Sequence, residues 1–271
     1  MKKKEFKDFI EWFNSPAEMV RVLESRKTNS VFAKRNGLAS ESINHYFVSI
    51  TMDEAKERFM YGDMETMKKI EDYQKKQIIK GGTVQKKTLR SSVCGFAPVV
   101  PHSIMGLPNA MLSFRNQQTS AKIIDIYVNC ACPSRTTQNE MIQAGVTITK
   151  IIRNYELNGI RVNLYAGSVF YEEKGNNRQN FGFSVKLKDS GSPLNMLKVV
   201  FPLIHPAFLR RITFRFMETT EKDILSDFNK GYGYPSVNIK GMLPDGMKYL
   251  NISKCIGLSV EQVQKKLDEQ K

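Results

Sequence analysis

The chain has 271 residues, 41% of them hydrophobic and 25% charged, with a formal net charge of +14. That length holds one large domain, or one domain with an appendage, and leaves room for an ample core. No apolar run nears the roughly 20 residues that span a bilayer, and four cysteines in a chain this long build no disulfide framework, so reduced thiols are expected. The basic start Met1-Lys2-Lys3-Lys4-Glu5-Phe6 has neither the apolar stretch nor the cleavage site of a secretory signal. A cation excess of this size attracts polyanions. It is spread along the chain, however, with 19 Lys/Arg against 13 Asp/Glu in residues 1–90 and 22 against 14 in residues 91–271.

The first third reads as helical. Phe6, Phe9, Ile10 and Phe13 fall at i, i+3, i+4 and i+7, the stripe of a short amphipathic helix. Ser15-Pro16 starts a second helix with Pro16 in its first turn. Residues 28–42 are polar and weakly periodic, so a loop is expected, and residues 45–50 have the β-branched and aromatic content of a short strand. Thr51 and Glu54 form a capping box for a helix through Phe59. Gly62-Asp63 breaks that helix, and residues 64–77 form another.

Residues 75–92 are the most basic window, with Lys75, Lys76, Lys80, Lys86, Lys87 and Arg90 and no acidic residue. A solvated linker or hairpin explains the window, and a phosphate-contacting arm is the sharper alternative. Residues 95–108 follow, where three prolines and two glycines forbid a regular helix or central strand. Phe96, Val99, Val100, Ile104 and Leu107 imply that this extended connection is buried over a core. His102 has no second ligand at metal spacing and reads as a packed polar residue.

From Ser120 strands and helices alternate. Strands are expected over residues 121–128, 160–170, 181–187, 211–216 and 248–252. A long helix covers residues 137–158 and ends at Gly159. Another covers residues 194–201, and the last, residues 259–269, is capped by Ser259 with Gln262 three residues on. The repetition predicts an α/β fold, doubly wound on a mostly parallel sheet with helices on both faces. Its parts are a helical N-terminal extension over 1–92, a connection over 93–119 and an α/β domain over 120–271.

From about Ala121 onward, order and spacing resemble a von Willebrand factor A-like domain. The resemblance implies a divalent-ion site at the carboxyl ends of the strands, where open α/β sheets place ligands. Its first loop, Asp-x-Ser-x-Ser in the family, reads Asn129-Cys130-Ala131-Cys132-Pro133. Its second, a Gly-Thr-Pro-Leu-like turn, reads Gly191-Ser192-Pro193-Leu194. The Asp of its third has Glu218 nearest. A hard cation needs carboxylates. With Asn129, Ser192 and Glu218 as the counterparts the site is degenerate, and no metal or cofactor is expected.

Cys130 and Cys132 lack the spacing and second pair of a zinc site and read as small core residues. Ser134 and Ser192 have no nucleophile-elbow sequence or partnered His. No Walker-type phosphate loop is present. Gly231-Tyr232-Gly233-Tyr234 is a turn whose tyrosines pack or stack on bases.

Residues 95–101 and 106–111, joined to the A-like domain, resemble a family of proteins encoded by tailed bacteriophages and prophages, over about Tyr46 to Thr220. That resemblance implies a protein of the bacterial host cytoplasm or the virion. With no catalytic constellation, the chain reads as a non-enzymatic interaction module binding a protein partner through its strand-end loops and helical N-terminal third. The alternatives are a sequence-independent nucleic-acid binder working through Lys75–Arg90 and a structural component of the virion. No membrane contact is expected.

Overall fold

A computed structural model describes residues 8–28, 40–41, 50–74, 87–116, 122–133, 135–174, 177–220, 234–236 and 239–270. The main sheet has six strands: β1 (Phe9–Phe13), β5 (Ile123–Asn129), β6 (Arg161–Lys174), β7 (Asn177–Lys188), β8 (Tyr234–Pro235) and β9 (Lys248–Asn251). Their order is β1-β7-β6-β5-β9, and β8 pairs with the far end of β6. Pairs β1/β7, β5/β6 and β5/β9 are parallel, while β6/β7 and β6/β8 are antiparallel. A second sheet, β2 (Lys87–Ser92), β4 (Met111–Asn116) and β3 (Ala97–Pro98), is wholly antiparallel. The main sheet is thus a mixed α/β sheet with flanking helices, the general pattern of a doubly wound fold.

Its helices are α1 (Pro16–Ser25), α2 (Met52–Tyr61), α3 (Met64–Gln74), α5 (Gln138–Leu157), α6 (Met196–Ile204), α7 (Phe214–Thr219), α8 (Ile252–Cys255) and α9 (Val260–Asp268). The small sheet carries the one-turn helix α4 (Val100–Ile104). The helix starts are local devices. Thr51 with Glu54, Thr137 with Glu140, and Ser259 with Gln262 each form a reciprocal capping box. Ser15 caps α1 with Pro16 behind it. Gly159 ends α5 at φ 78°, a left-handed conformation that glycine adopts without strain.

Among the described residues, the two faces of the sheet are clothed unequally. Ile124, Ile126 and Val128 of β5, Val162 and Leu164 of β6, and Phe181, Phe183 and Val185 of β7 enter one large core. Buried residues of α1, α2, α3, α5, α6, α7, α8 and α9 enter the same core. Tyr127, Val169, Ile239 and Leu243 form a small cluster on the other face. The expected helix layer there is, among the described residues, the short turn Lys240–Met242 and its flanks.

Three sequence expectations fail for identifiable reasons. The segment after Asp8 is strand β1, not a helix. Phe9 and Phe13 face the large core, Ile10 packs on the small one, and Trp12 meets Tyr165 edge-on at 5.7 Å. Apolar groups are therefore wanted on both faces, and the free edge of β7 supplies the pairing that a five-residue segment cannot supply alone. Residues 211–216 are not a strand: Phe208–Thr213 is a π-helical turn leading into α7. Phe208, Ile212 and Phe216, spaced by four, are buried, and Phe216 lies 4.8 Å from Phe183 and 5.4 Å from Phe181. Arg211, which the alternation would turn to solvent, is instead buried, donating to the carbonyls of Ile50 at 3.1 Å and Ser40 at 2.6 Å. The third failure is the Gly/Pro connection, which is folded and exposed rather than buried: Phe96, Val100, Ile104 and Leu107 all face solvent. Residues 45–49 of the expected strand and most of the loop over 28–42 lie outside the described residues.

Helix α5 crosses α6 at Gly145, where an added Cβ would lie 2.2 Å from the Leu203 carbonyl oxygen. Alanine is about 1 kcal/mol better than glycine inside a helix, but overpacking against backbone costs about 1–3 kcal/mol. Gly145→Ala should therefore destabilise the protein, and differential scanning fluorimetry should show Tm lowered by about 2–8 °C. An unchanged or raised Tm would mean that the helices do not meet this closely.

Candidate functional site

Strand β5 ends at Asn129, beside Gly167 of β6 and Asn251 of β9. The Asn129 side chain is fully buried and makes every hydrogen bond that an amide can make. Its Nδ2 donates to the Ser236 carbonyl at 2.7 Å and to Asn251 Oδ1 at 2.9 Å. Its Oδ1 accepts from the amides of Ala131 and Val169, both at 3.1 Å. The network continues sideways. The Ser236 amide donates to the Val169 carbonyl and its hydroxyl to Asn180 Oδ1 at 2.9 Å. Asn180 Nδ2 in turn donates to the Asp8 carboxylate at 3.1 Å. One polar line thus joins β9, β5, the residue after β8, β7 and the residue before β1.

The sequence-derived trio of Asn129, Ser192 and Glu218 is not assembled by these contacts. Strand β7 runs antiparallel to β6, so it ends with Lys188 beside Leu164. The turn that follows is tied to the start of β6, where the Ser190 amide donates to Asn163 Oδ1 at 2.6 Å. Asn163 and Gly167 are four residues apart, about 13 Å along a strand, so Ser192 lies toward the opposite end of the sheet from Asn129. Ser192 is exposed, and Asn195, not a serine, caps α6. Glu218 is buried on α7 and accepts from the Ser40 amide at 3.0 Å and from the Ser40 hydroxyl. The strand beside β5 on its other side is β9, and Asn251 is the residue that its end brings to Asn129. Sequence reasoning missed it because Asn251 is 122 residues from Asn129 and no motif marks it.

These groups do not suit a divalent cation. Asn129 and Asn251 are neutral amides, and all the hydrogen-bonding capacity of Asn129 is spent within the protein, whereas Mg²⁺ and Ca²⁺ draw on carboxylates. Among the described residues no group of three or more His, Cys, Asp or Glu side chains could hold a metal ion.

The loop after β5 is inward-facing, with Cys130, Ala131 and Cys132 buried. Burial pushes the Cys130 thiol well up, and Cys132, opposed only partly by Arg210, up to about 12. Cys255 lines a cleft of about 470 Å³ between α5 and the turn before α9, and burial raises its thiol to about 11. Protonated thiols are poor nucleophiles. Cys94 alone of the four is exposed. His205 is buried at the end of α6, where its Nδ1 accepts from the Ala207 amide at 3.0 Å. His102 Nδ1 sits 3.1 Å from the Asn109 carbonyl and closes the turn around α4.

Of the candidate nucleic-acid contacts, Lys87 and Arg90 fall in β2, and Arg90 is exposed. Lys75, Lys76, Lys80 and Lys86 lie outside the described residues, as does Tyr232. Tyr234 is exposed in β8, with its ring 5.8 Å from that of Tyr171.

The model of one protein family, described as "Domain of unknown function (DUF7192)", matches residues 2–267. The chain belongs to this family. No curated protein and no solved structure matches the chain. The match of the DUF7192 model runs from before β1 through nearly all of α9, so it takes in both ends of the Asn129 line, Asp8 and Asn251.

Two outcomes follow from this site. Asn129→Asp replaces two donors with a charged acceptor facing the Ser236 carbonyl and Asn251 Oδ1. It should cost about 3 kcal/mol or more in urea denaturation, and neither protein should bind Mg²⁺, Mn²⁺ or Ca²⁺ tighter than about millimolar in calorimetry. A stable Asn129→Asp protein with a micromolar ion site would overturn this account. The buried thiols also set an alkaline limit. Their folded-state values lie above the ordinary value of 9.0. The folded protein therefore keeps protons that the unfolded chain has lost, and this stabilisation is full below pH 9 and disappears as pH rises toward 11 and 12. Each thiol can contribute a slope of up to about 1.4 kcal/mol per pH unit. Melting curves from pH 8 to 11 should show stability falling, less steeply in Cys132→Ala. At pH 8 a thiol reagent should modify Cys94 alone.

Proposed function

We propose that this chain is a non-enzymatic interaction module that binds a protein partner. The observation that carries the reading is the strand end itself. The position where an open α/β sheet presents ligand groups is occupied by an amide whose donors and acceptors are all satisfied from within. A site closed in this way favours contact through exposed surface rather than chemistry in a cleft. The finer fold reading belongs to the same proposal. A von Willebrand factor A-like domain with a degenerate ion site is supported by β5, paired in parallel on both sides, a long helix α5 after its end loop, and Asn129 where the resemblance places the first carboxylate. The Gly/Pro segments at 95–101 and 106–111 support an origin in a tailed phage or prophage, with the host cytoplasm or the virion as its place of action.

Because the 130–132 loop is buried, partner contact falls to other exposed surface and not to the loop core. Affinity purification of the tagged full chain from infected cells should yield a stoichiometric protein partner that survives both nuclease and chelator. Loss of all partners on nuclease treatment would replace this reading with a nucleic-acid one, and recovery only in purified particles would make the chain a virion component.

The nucleic-acid reading is favoured by one observation, the acid-free cationic window Lys75–Arg90. It predicts sequence-independent binding, since lysines offer phosphate contacts and little that reads base edges. Replacing Lys76, Lys80, Lys86, Lys87 and Arg90 with Gln should weaken binding to all sequences alike. Each lost phosphate contact should lower the slope of log affinity against log salt by about 0.7 to 0.9. Fluorescence anisotropy with a duplex and a single strand checks it, and no binding by the unmodified chain at low salt would remove it.

A further inference from the structure

Among the described residues, the small sheet and α4 have no core of their own. From Leu89 through Ser113 every residue is exposed or half-buried, and neither hydrophobic core takes a residue from this stretch. It is nevertheless rich in apolar side chains that face solvent: Leu89, Val93 (71% exposed), Phe96 (59%), Val100, Ile104 (80%) and Met105. A three-stranded sheet ordinarily persists because one apolar face is packed on something, and an exposed apolar surface of this kind marks an interaction site.

Two further observations say what kind of partner it fits. From Tyr73 to Ile124 the sequence holds eight Lys/Arg and not one Asp or Glu. Strand β2 is also an outer strand of its sheet, bonded to β4 on one side, and among the described residues no strand pairs with its other edge. An open edge with unused N–H and C=O groups is a template for strand addition.

We propose that residues 89–113 form a docking arm for an acidic, strand-forming segment of another protein. The segment adds along the outer edge of β2, its apolar side chains cover the exposed apolar residues of the arm, and its carboxylates meet Arg90 within a stretch of sequence that has cations and no acidic residue. The proposal rests on the interaction-module reading and names the surface and the partner chemistry. A second copy of the chain fits poorly, because two acid-free cationic stretches would face each other. Nucleic acid would satisfy the cations but leave Leu89, Val93, Val100 and Ile104 uncovered. A bilayer would cover the aliphatic groups but leave the backbone edge of β2 unpaired.

Cys94 lies within the arm and is the exposed thiol, so an environment-sensitive fluorophore placed there reports on the full-length protein. The probe is a synthetic peptide of alternating Glu and Val, compared with the same peptide carrying Lys for Glu, a DNA duplex, and vesicles of phosphatidylserine and phosphatidylcholine. The Glu-Val peptide should give a saturable signal, and in unlabelled protein it should slow amide hydrogen exchange in residues 88–91. The Lys-Val peptide should bind at least about tenfold more weakly, and so should the Glu-Val peptide to the surface variants Leu89→Ser and Arg90→Gln. Equal binding of both peptides, unchanged exchange in β2, or a response to DNA or vesicles without one to the peptide would overturn the proposal. The failure is separable from that of the broader reading. A stoichiometric partner that co-purifies equally well with Leu89→Ser and Phe96→Asp would sink the arm and keep the module, whereas no partner for the unmodified chain would sink the module.

Discussion

The carboxyl end of the main sheet depends on a single buried amide. Asn129 is the last residue of β5, and its four hydrogen bonds reach Asn251 of β9, the segment at Ser236, the loop backbone at Ala131 and the backbone of β6 at Val169. An amide suits this position because it offers two donors and two acceptors in one plane. A carboxylate would supply acceptors only, and an aliphatic group would leave buried backbone partners unsatisfied, each at about 1–3 kcal/mol. The link from Ser236 through Asn180 to Asp8 extends the same constraint to β1, so a strand contributed by the N-terminal region is tied to the interior by polar groups as well as by its backbone register.

Beneath that polar end, aromatic packing sets the arrangement of the helix layer. Phe181 and Phe183 of β7 project toward Phe216 and Phe208, and Phe208 in turn lies 5.3 Å from Phe59 of α2. These rings join the N-terminal helices to the α/β elements in one core, so the chain from α1 onward is bound to the sheet by the same side chains that order α6 and α7. The π-helical turn at 208–213 fits this crowding. It carries Phe208 and Ile212 into the core while leaving Arg211 positioned to bond the carbonyls of Ile50 and Ser40. On the other face of the sheet the described residues form a small cluster, beside a half-exposed Trp12.

The proposed function draws on a contrast between satisfied and exposed surface among the described residues. The strand end, the usual ligand position of an open α/β sheet, is closed by its own side chains, and its cysteines are buried as protonated thiols. The arm at residues 89–113 is the opposite case, a folded segment with exposed apolar side chains, an outer strand with no second partner among the described residues, and no acidic residue in the surrounding sequence.

The sequence by itself determined those features whose cause is local. The capping boxes at Thr51, Thr137 and Ser259, Pro16 in the first turn of α1, and Gly159 at the end of α5 each act within four residues, and the strands at 123–129, 161–174 and 248–251 carry their own apolar pattern. Tertiary structure decided the rest, because the deciding partners are distant. Phe9, Ile10 and Phe13 satisfy a helical stripe as well as a two-faced strand, and only the open edge of β7, some 170 residues away in sequence, selects the strand. Ile212, Phe214 and Phe216 alternate like a strand, yet the fourfold spacing of Phe208, Ile212 and Phe216 against Phe59, Phe181 and Phe183 makes them helical. The Gly/Pro segment was legible as rigid and apolar, but whether it is covered depends on a packing partner that composition does not specify. Asn129 was legible as the polar residue that ends a strand. That it is a saturated hub became visible only once Ser236 and Asn251, 107 and 122 residues further on, stood beside it, because a buried polar group is defined by what the fold brings to its donors and acceptors.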